Sequence, residues 1–241
     1  MATKDGATVS SVALSPLADA TWPAVERSER RVLVLSVGSL EQHGPHLPLD
    51  TDAFLARTVA ERVHRSRPSA GLAPTIPFGA SGEHADFPGT LSIGTSVLSD
   101  TIVELVRDAS RFWAATLLIN GHGGNLAAID RARSICQYEG RTFAAYHLGL
   151  RSMDGHAGRA ETSMMLHLAP ERVNLSALEV GNDTPVAKLM PELRVQGVRP
   201  VSPNGILGDP TDAHPAEGQQ LIAALTAAAL AEFDQLADRA N

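Results

Sequence analysis

The chain carries a single cysteine, Cys136, so it can close no internal disulfide and cannot build a thiolate-rich zinc site. Any metal must therefore be held by nitrogen and oxygen. No apolar run approaches the ~18 residues of a membrane span, and the stretch Met1 to Gly6 lacks a hydrophobic signal core. The expectation is a cytoplasmic protein with no membrane partner. An excess of basic charge is missing too: 20 Lys+Arg against 27 Asp+Glu give a formal charge of −7, which disfavours a nucleic-acid partner. The G-x-S-x-G elbow of serine hydrolases and the H-E-x-x-H of zinc peptidases are both absent.

What is present is an ordinary globular composition, 44% apolar and 20% charged over 241 residues. That length suits one large α/β domain, residues 1–241, and no repeat or linker divides it. The near-continuous apolar run Val32 to Gly38 predicts a buried strand. Phe54, Leu55, Val59 and Val63 then predict an amphipathic helix over 52–66, with Asp50 as a candidate N-cap. A second strand over Leu72 to Ile76 is confined to an edge by Pro74, and residues 77–95 predict a loop. Further along, a helix over Ser99 to Ala114 with Ser99 as N-cap, a strand over Thr116 to Ile119, a helix over Leu126 to Glu139 and a strand over Thr142 to Tyr146 follow. Alternation of this kind predicts a mostly parallel sheet with helices on both faces. A short helix over 161–169 ends at Pro170, residues 180–212 predict an extended surface excursion rich in Pro, Gly and Asp, and Pro215 opens a long helix to about Leu236.

Three segments carry side chains capable of chemistry. The first strand runs into Glu41-Gln42-His43-Gly44-Pro45-His46-Leu47-Pro48, and strand geometry would put Glu41 and His43 on one face at the sheet's carboxyl edge, where ligands bind in open α/β folds. Asp52 begins the next helix and can return to the same place. The competing reading is a set of caps and turn residues. Next, Asn120-Gly121-His122-Gly123-Gly124-Asn125 puts His122 at a second strand end. It lacks a P-loop lysine and the G-x-G-x-x-G spacing, so a nucleotide site ranks below a ligand site or a plain turn. The third is His156-Ala157-Gly158-Arg159-Ala160-Glu161. Glu161 either serves the site or merely complements the helix dipole, and His156, flanked by glycine, has the mobility of a proton donor. Glu83 and His84 lie in a loop that forms a rim or stands in solvent. Cys136, in register with Ile129 and Ala132, predicts a buried core thiol.

Taken in order, Glu41 through Pro48 with Asp52, Phe87-Pro88-Gly89-Thr90, Asn120 through Asn125, and His156 through Ser163 resemble the creatininase family of metal-dependent amidohydrolases, over about residues 31–175. With Ser202 through Pro210, the whole chain looks most similar to the branch whose members trim the precursor of the ribosomally made redox cofactor mycofactocin. The resemblance implies a three-layer α/β/α fold and two divalent metal ions, zinc, iron or manganese. By position, Glu41 and His122 would hold one metal, His43 the other, and Asp52 would bridge them. Creatininase has a glutamate two positions beyond its glycine-flanked histidine. This chain has Gly124 there, and Glu161 is the candidate replacement.

The implied reaction is hydrolysis of a C–N bond by a metal-bound hydroxide, with His156 as general acid and His84 and Arg159 as candidate substrate-binding residues. A peptide carboxylate could also be met by Arg194 or Arg199. The implied partner is a modified precursor peptide; the alternatives are a small cyclic amide or formamide, or no substrate at all if the chain is a metal-binding scaffold. The family resemblance further implies a homo-oligomer.

Overall fold

The structure is a computed structural model that describes residues 14–150 and 153–240. The expectation about the leader, Met1 to Gly6, lies outside the described residues. Its centre is a four-stranded parallel sheet, order β2-β1-β3-β4, formed by β1 (Val32–Val37), β2 (Ala70–Leu72), β3 (Ala115–Asn120) and β4 (Phe143–His147). The helices are α1 (Trp22–Glu26), α2 (Thr51–Ser66), α3 (Gly94–Ala109), α4 (Leu126–Tyr138), α5 (Arg159–Leu168), α6 (Val186–Gln196), α7 (Val198–Val201) and α8 (Pro215–Arg239).

The period-2 alternation of the central strands builds two cores. Val32, Val34, Leu117 and Ile119 pack with α2, α5 and α8, whose contribution includes Val59, Met164, Leu225 and Phe233. Leu33, Leu35, Val37 and Leu118 face the opposite way, onto Leu98, Ile102 and Val106 of α3 and Ile129, Ala132 and Cys136 of α4. Helices thus cover both faces, the three-layer α/β/α arrangement expected, and Cys136 is a fully buried core thiol.

Three expectations need correction. The second strand is Ala70–Leu72, earlier than Leu72 to Ile76; Pro74 interrupts the ladder, and Ile76 only touches β1 again through a bridge to Val37. Helix α3 begins at Gly94 rather than Ser99, because Val97 and Leu98 extend the same helix. Ser99 lies buried inside it and caps nothing. The segment 180–212 is no simple surface excursion. It holds α6 and α7, and Leu189, Leu193, Val198 and Leu207 form a small core of their own, which Pro191 within the helix disguises in the sequence.

The connectivity places the site. From β1 the chain passes to β2 on one side, and from β3 to β4 on the other, so the carboxyl ends of β1 and β3 flank the point where the strand order reverses. The segments carrying Glu41, His43 and His122 leave the sheet there.

Candidate metal centre

Glu41 and His43 do not share a strand face, because β1 stops at Val37. The chain folds back instead: Glu41 N–H donates to Leu49 O and His43 bridges Leu47, and this tight loop turns both side chains into one buried cluster. Asp52 enters from the first turn of α2, where the helix dipole favours a carboxylate. Asp50, the expected cap, makes no cap bond and pairs with Arg172 at 2.6 Å. His122 enters from the β3 end, where Asn120 Nδ2 donates to His122 O at 2.7 Å and Asn125 Nδ2 to Asn120 Oδ1 at 2.9 Å.

These groups meet at contact distance. His43 Nε2 lies 3.1 Å from Asp52 Oδ1 and 3.9 Å from Glu161 Oε2. His122 Nδ1 lies 3.1 Å from Glu41 Oε1 and 3.2 Å from Asp52 Oδ2. His84 Nε2 is 3.3 Å, and His156 Nδ1 3.6 Å, from the same Glu41 oxygen. Glu41 and His43 are wholly buried, and neither Glu41 oxygen nor Asp52 Oδ2 receives an aligned hydrogen bond. A buried carboxylate left in that state costs several kcal/mol unless a cation satisfies it.

The donor set suits a metal. Glu41, Asp52 and His122 offer ligand atoms within 4.8 Å of one another, as do His43, Asp52 and Glu161, and Asp52 belongs to both groups. His43 is already oriented for such a role: Nδ1 lies 3.1 Å from the carbonyl of Glu41, the bond that fixes many metal-binding imidazoles and leaves Nε2 to the cluster.

The electrostatics are those of a compact cluster of imidazoles and carboxylates. Burial pulls His43 down, but Asp52, then Glu161 and Glu41, outweigh it and hold the imidazolium up at about 10. His122 is raised well above its usual range in the same way: burial opposes, Glu41 and Asp52 prevail. Asp52 goes strongly down, its burial overcome by His43 and His122. Glu161 is pushed up to about 7, chiefly by burial, with Asp52 and Glu41 adding to it against His43. Burial, reinforced by His43 and His84, holds His156 well below 6.5. Burial also lowers His84.

His84, expected at a rim or in solvent, is therefore part of the buried cluster. His156 is not the mobile residue its glycine neighbours suggested: its Nε2 is 2.7 Å from Gln42 O, and its ring packs 4.3 Å from that of His43 and 4.5 Å from that of His84. The structure does not bring Arg159 to the cluster; its guanidinium pairs with Glu217 at 3.4 Å. Arg199 donates to Asp86 O and lies over the Phe87 ring.

Two contributors escaped the sequence reading. Glu83 Oε1 lies 3.3 Å from His122 Nε2, an ion-pair contact rather than an aligned hydrogen bond. A Cβ at position 124 would stand 2.5 Å from that oxygen and 2.4 Å from His122 Nε2, so Gly124 leaves the space that Glu83 fills. The Glu83-His84 pair was visible, but nothing local distinguishes an acidic rim from an inward-turned carboxylate. Gln42 was the other, a side chain with no charge to draw attention.

A helix-covered parallel sheet with imidazoles and carboxylates gathered at its switch point is an α/β protein whose polar cluster lies where such folds bind ligands. The family model described as Creatininase, creatinine amidohydrolase, matches residues 18–233, and the chain belongs to the creatininase family. It is accordingly an amidohydrolase. Among its relatives, the mycofactocin precursor peptide peptidase of Mycolicibacterium smegmatis is 46% identical over 197 residues, 80% of each chain. That of Mycobacterium tuberculosis is 45% identical over 202 residues, again 80% of each. A solved structure titled "Creatininase Mn" is 26% identical and superposes with a TM-score of 0.71 over 90% of this chain and 95% of that one.

Proposed function

We propose that this chain is a metal-dependent peptidase that removes a C-terminal portion of a modified mycofactocin precursor peptide; its likeness to relatives named mycofactocin precursor peptide peptidase supports the peptide as substrate. The observation that carries the metal reading is the pair of ligand groups sharing Asp52: Glu41, Asp52 and His122 would hold one divalent ion, His43, Asp52 and Glu161 the other. Zinc, iron and manganese all accept such nitrogen and oxygen donors. Two such ions supply an ionised water at neutral pH and polarise an amide carbonyl. Glu41, Asp52, Glu83 and Glu161 supply the negative charge that two dications neutralise.

The remaining work falls to the protein's own groups. Burial and the neighbouring His43 and His84 disfavour the charged form of His156, and its imidazole would accept the proton released by the attacking water and deliver it to the departing nitrogen. His84 stands beside Glu41 with a ring nitrogen toward the same space and would meet the scissile carbonyl. The proposal includes a homo-oligomer in the cytoplasm, to be checked by light scattering and fractionation.

The test is incubation of the metal-loaded protein with the modified precursor peptide, with creatinine and a formylamino-pyrimidine as competitors, followed by mass spectrometry. A shortened peptide together with its released C-terminal fragment is expected. Turnover of creatinine or the formamide with the peptide left intact would transfer the assignment to a small-molecule amidohydrolase. Bound metal with no turnover of any of the three would leave a binding scaffold.

A further inference from the structure

Gln42 sits between Glu41 and His43, yet its side chain turns away from both toward two other histidines and toward residue 205. Its hydrogen bonds close without freedom. Oε1 accepts from the Gly44 N–H at 2.8 Å, and because that backbone group can only donate, the orientation of the carboxamide is settled. Nε2 therefore carries two N–H bonds and faces three atoms: Gly205 O at 2.9 Å, His84 Nδ1 at 2.9 Å and His156 Nε2 at 3.0 Å.

Two of the three must be chosen. Gly205 O can only accept, and it is buried, so it takes one hydrogen. His156 Nε2 also lies 2.7 Å from the main-chain oxygen of Gln42, a still shorter contact with an atom that can only accept. His156 Nε2 must then be the N–H, and it cannot receive a hydrogen from Gln42 as well. The second carboxamide hydrogen is left for His84 Nδ1.

We propose that residue 42 is a positioning residue that sets opposite faces of two neighbouring imidazoles toward the carboxylate cluster: His84 presents an Nε2–H, and His156 presents the lone pair of Nδ1. Both atoms face Glu41 Oε1, at 3.3 Å and 3.6 Å. One ring becomes the hydrogen-bond donor that steadies a carbonyl oxygen as it gains charge, and its neighbour, 4.5 Å away, becomes the base that takes a proton from water and returns it to the leaving nitrogen. The water oxygen ends bonded to the carbonyl carbon, the C–N bond breaks, the proton taken from water ends on the departing nitrogen, and both rings end as they began. This division of roles rests on the hydrolase reading; the tautomers themselves do not.

Gly205 makes the arrangement possible. Its φ of +82° is left-handed, and a Cβ there would stand 1.9 Å from Gln42 Oε1. The turn that follows α7 thus reaches the site through a single carboxamide. Leu207 N–H binds the carbonyl of His156 at 2.8 Å in the same stretch, so both ends of the pair are tied to it.

Long-range proton–nitrogen correlation spectra of histidine-labelled protein, recorded where both rings are neutral, read the tautomers directly. The wild type is expected to show Nε2–H at both His84 and His156. In Gln42→Glu the side chain offers only acceptors, so His84 is expected to turn to Nδ1–H, while His156 keeps its bond to the main-chain oxygen of residue 42. With bound metal unchanged, kcat on the peptide should fall about 10²-fold, the loss typical of one oxyanion donor, with KM little changed. A wild-type His84 carrying its proton on Nδ1, or a His84 tautomer unmoved in Gln42→Glu, overturns the proposal. Should the variant not fold, the wild-type spectrum alone decides. If no substrate is turned over while the tautomers are as stated, the functional reading fails and this assignment stands.

Discussion

Asp52 touches His43 through one oxygen and His122 through the other, at 3.1 Å and 3.2 Å, and it shares one ligand group with each of these histidines. Replacing it with asparagine keeps the shape and removes the charge. Asp52→Asn should therefore lose at least half of its bound metal by elemental analysis, and kcat/KM on the peptide should fall by about 10² or more, of the order seen when an electrostatic stabiliser is removed. Full metal content in that variant would move the bridging role elsewhere. His43 supplies a pH signature in the metal-free protein. The folded state holds its proton up to about 10, whereas the unfolded chain releases it above 6.5, so this contribution is complete below 6.5 and is lost as pH climbs toward 10. Glu161, raised to about 7 from 4.5, adds a loss of the same sign as pH rises between those two values, mostly below the His43 window. Urea unfolding of chelated protein should accordingly give lower stability at pH 9.5 than at pH 6.5, and His43→Gln should flatten the difference. At this scale, the residue types of the cluster were legible, since imidazoles and carboxylates beside glycines at two strand ends announce themselves. Glu83 and Gln42 were not, because their roles depend on what faces them across the fold.

Among the elements, α5 shows how a loop and a helix start can hold a buried imidazole, that of His156. Asp154 Oδ2 accepts the Arg159 N–H at 2.6 Å and Oδ1 the Ala160 N–H at 2.9 Å, two of the orphan donors at the helix start. His156 is clamped between that cap and the helix, and Glu161 Oε2 returns to accept the Ala157 N–H at 2.7 Å. Asp154→Ala should cost about 1 kcal/mol, as loss of a helix cap does, and lower Tm by roughly 2–4 °C in calorimetry. Turnover should fall by more than that small loss of folded protein explains, because the cap also fixes the His156 loop. Turnover unchanged at saturating substrate would show that loop to be held without the cap, by its bonds to Gln42, Leu207 and Glu161. The sequence placed α5 within two residues, since Pro170 stops it. It missed α6, whose apolar spacing is interrupted by Pro191, and with it the small core that brings Gly205 and Leu207 against the site.

For the molecule as a whole, the metal reading makes stability conditional on the cation. The unfolded chain has no such cluster, so a divalent ion at 100 times its Kd should stabilise the protein by about 2.7 kcal/mol. Dialysis against a chelator should lower Tm by several degrees and abolish peptide cleavage, and readdition of zinc, iron or manganese should restore both. Cleavage that persists after exhaustive chelation would leave the cluster without its proposed chemistry.

The amino-acid sequence by itself determined the alternation of buried strands and amphipathic helices, the three-layer class, the edge position of the proline-marked strand and the chemical types gathered at two strand ends. Those properties follow from side-chain period and backbone restriction within about a dozen neighbouring residues. Only the tertiary structure decided that His84 and Glu83 turn inward, that Arg159 pairs away from the cluster, and that one glutamine faces two histidines and a glycine carbonyl. These depend on contacts between segments as far apart as Gln42 and Gly205, 163 residues along the chain, and no local pattern encodes which polar group will meet which.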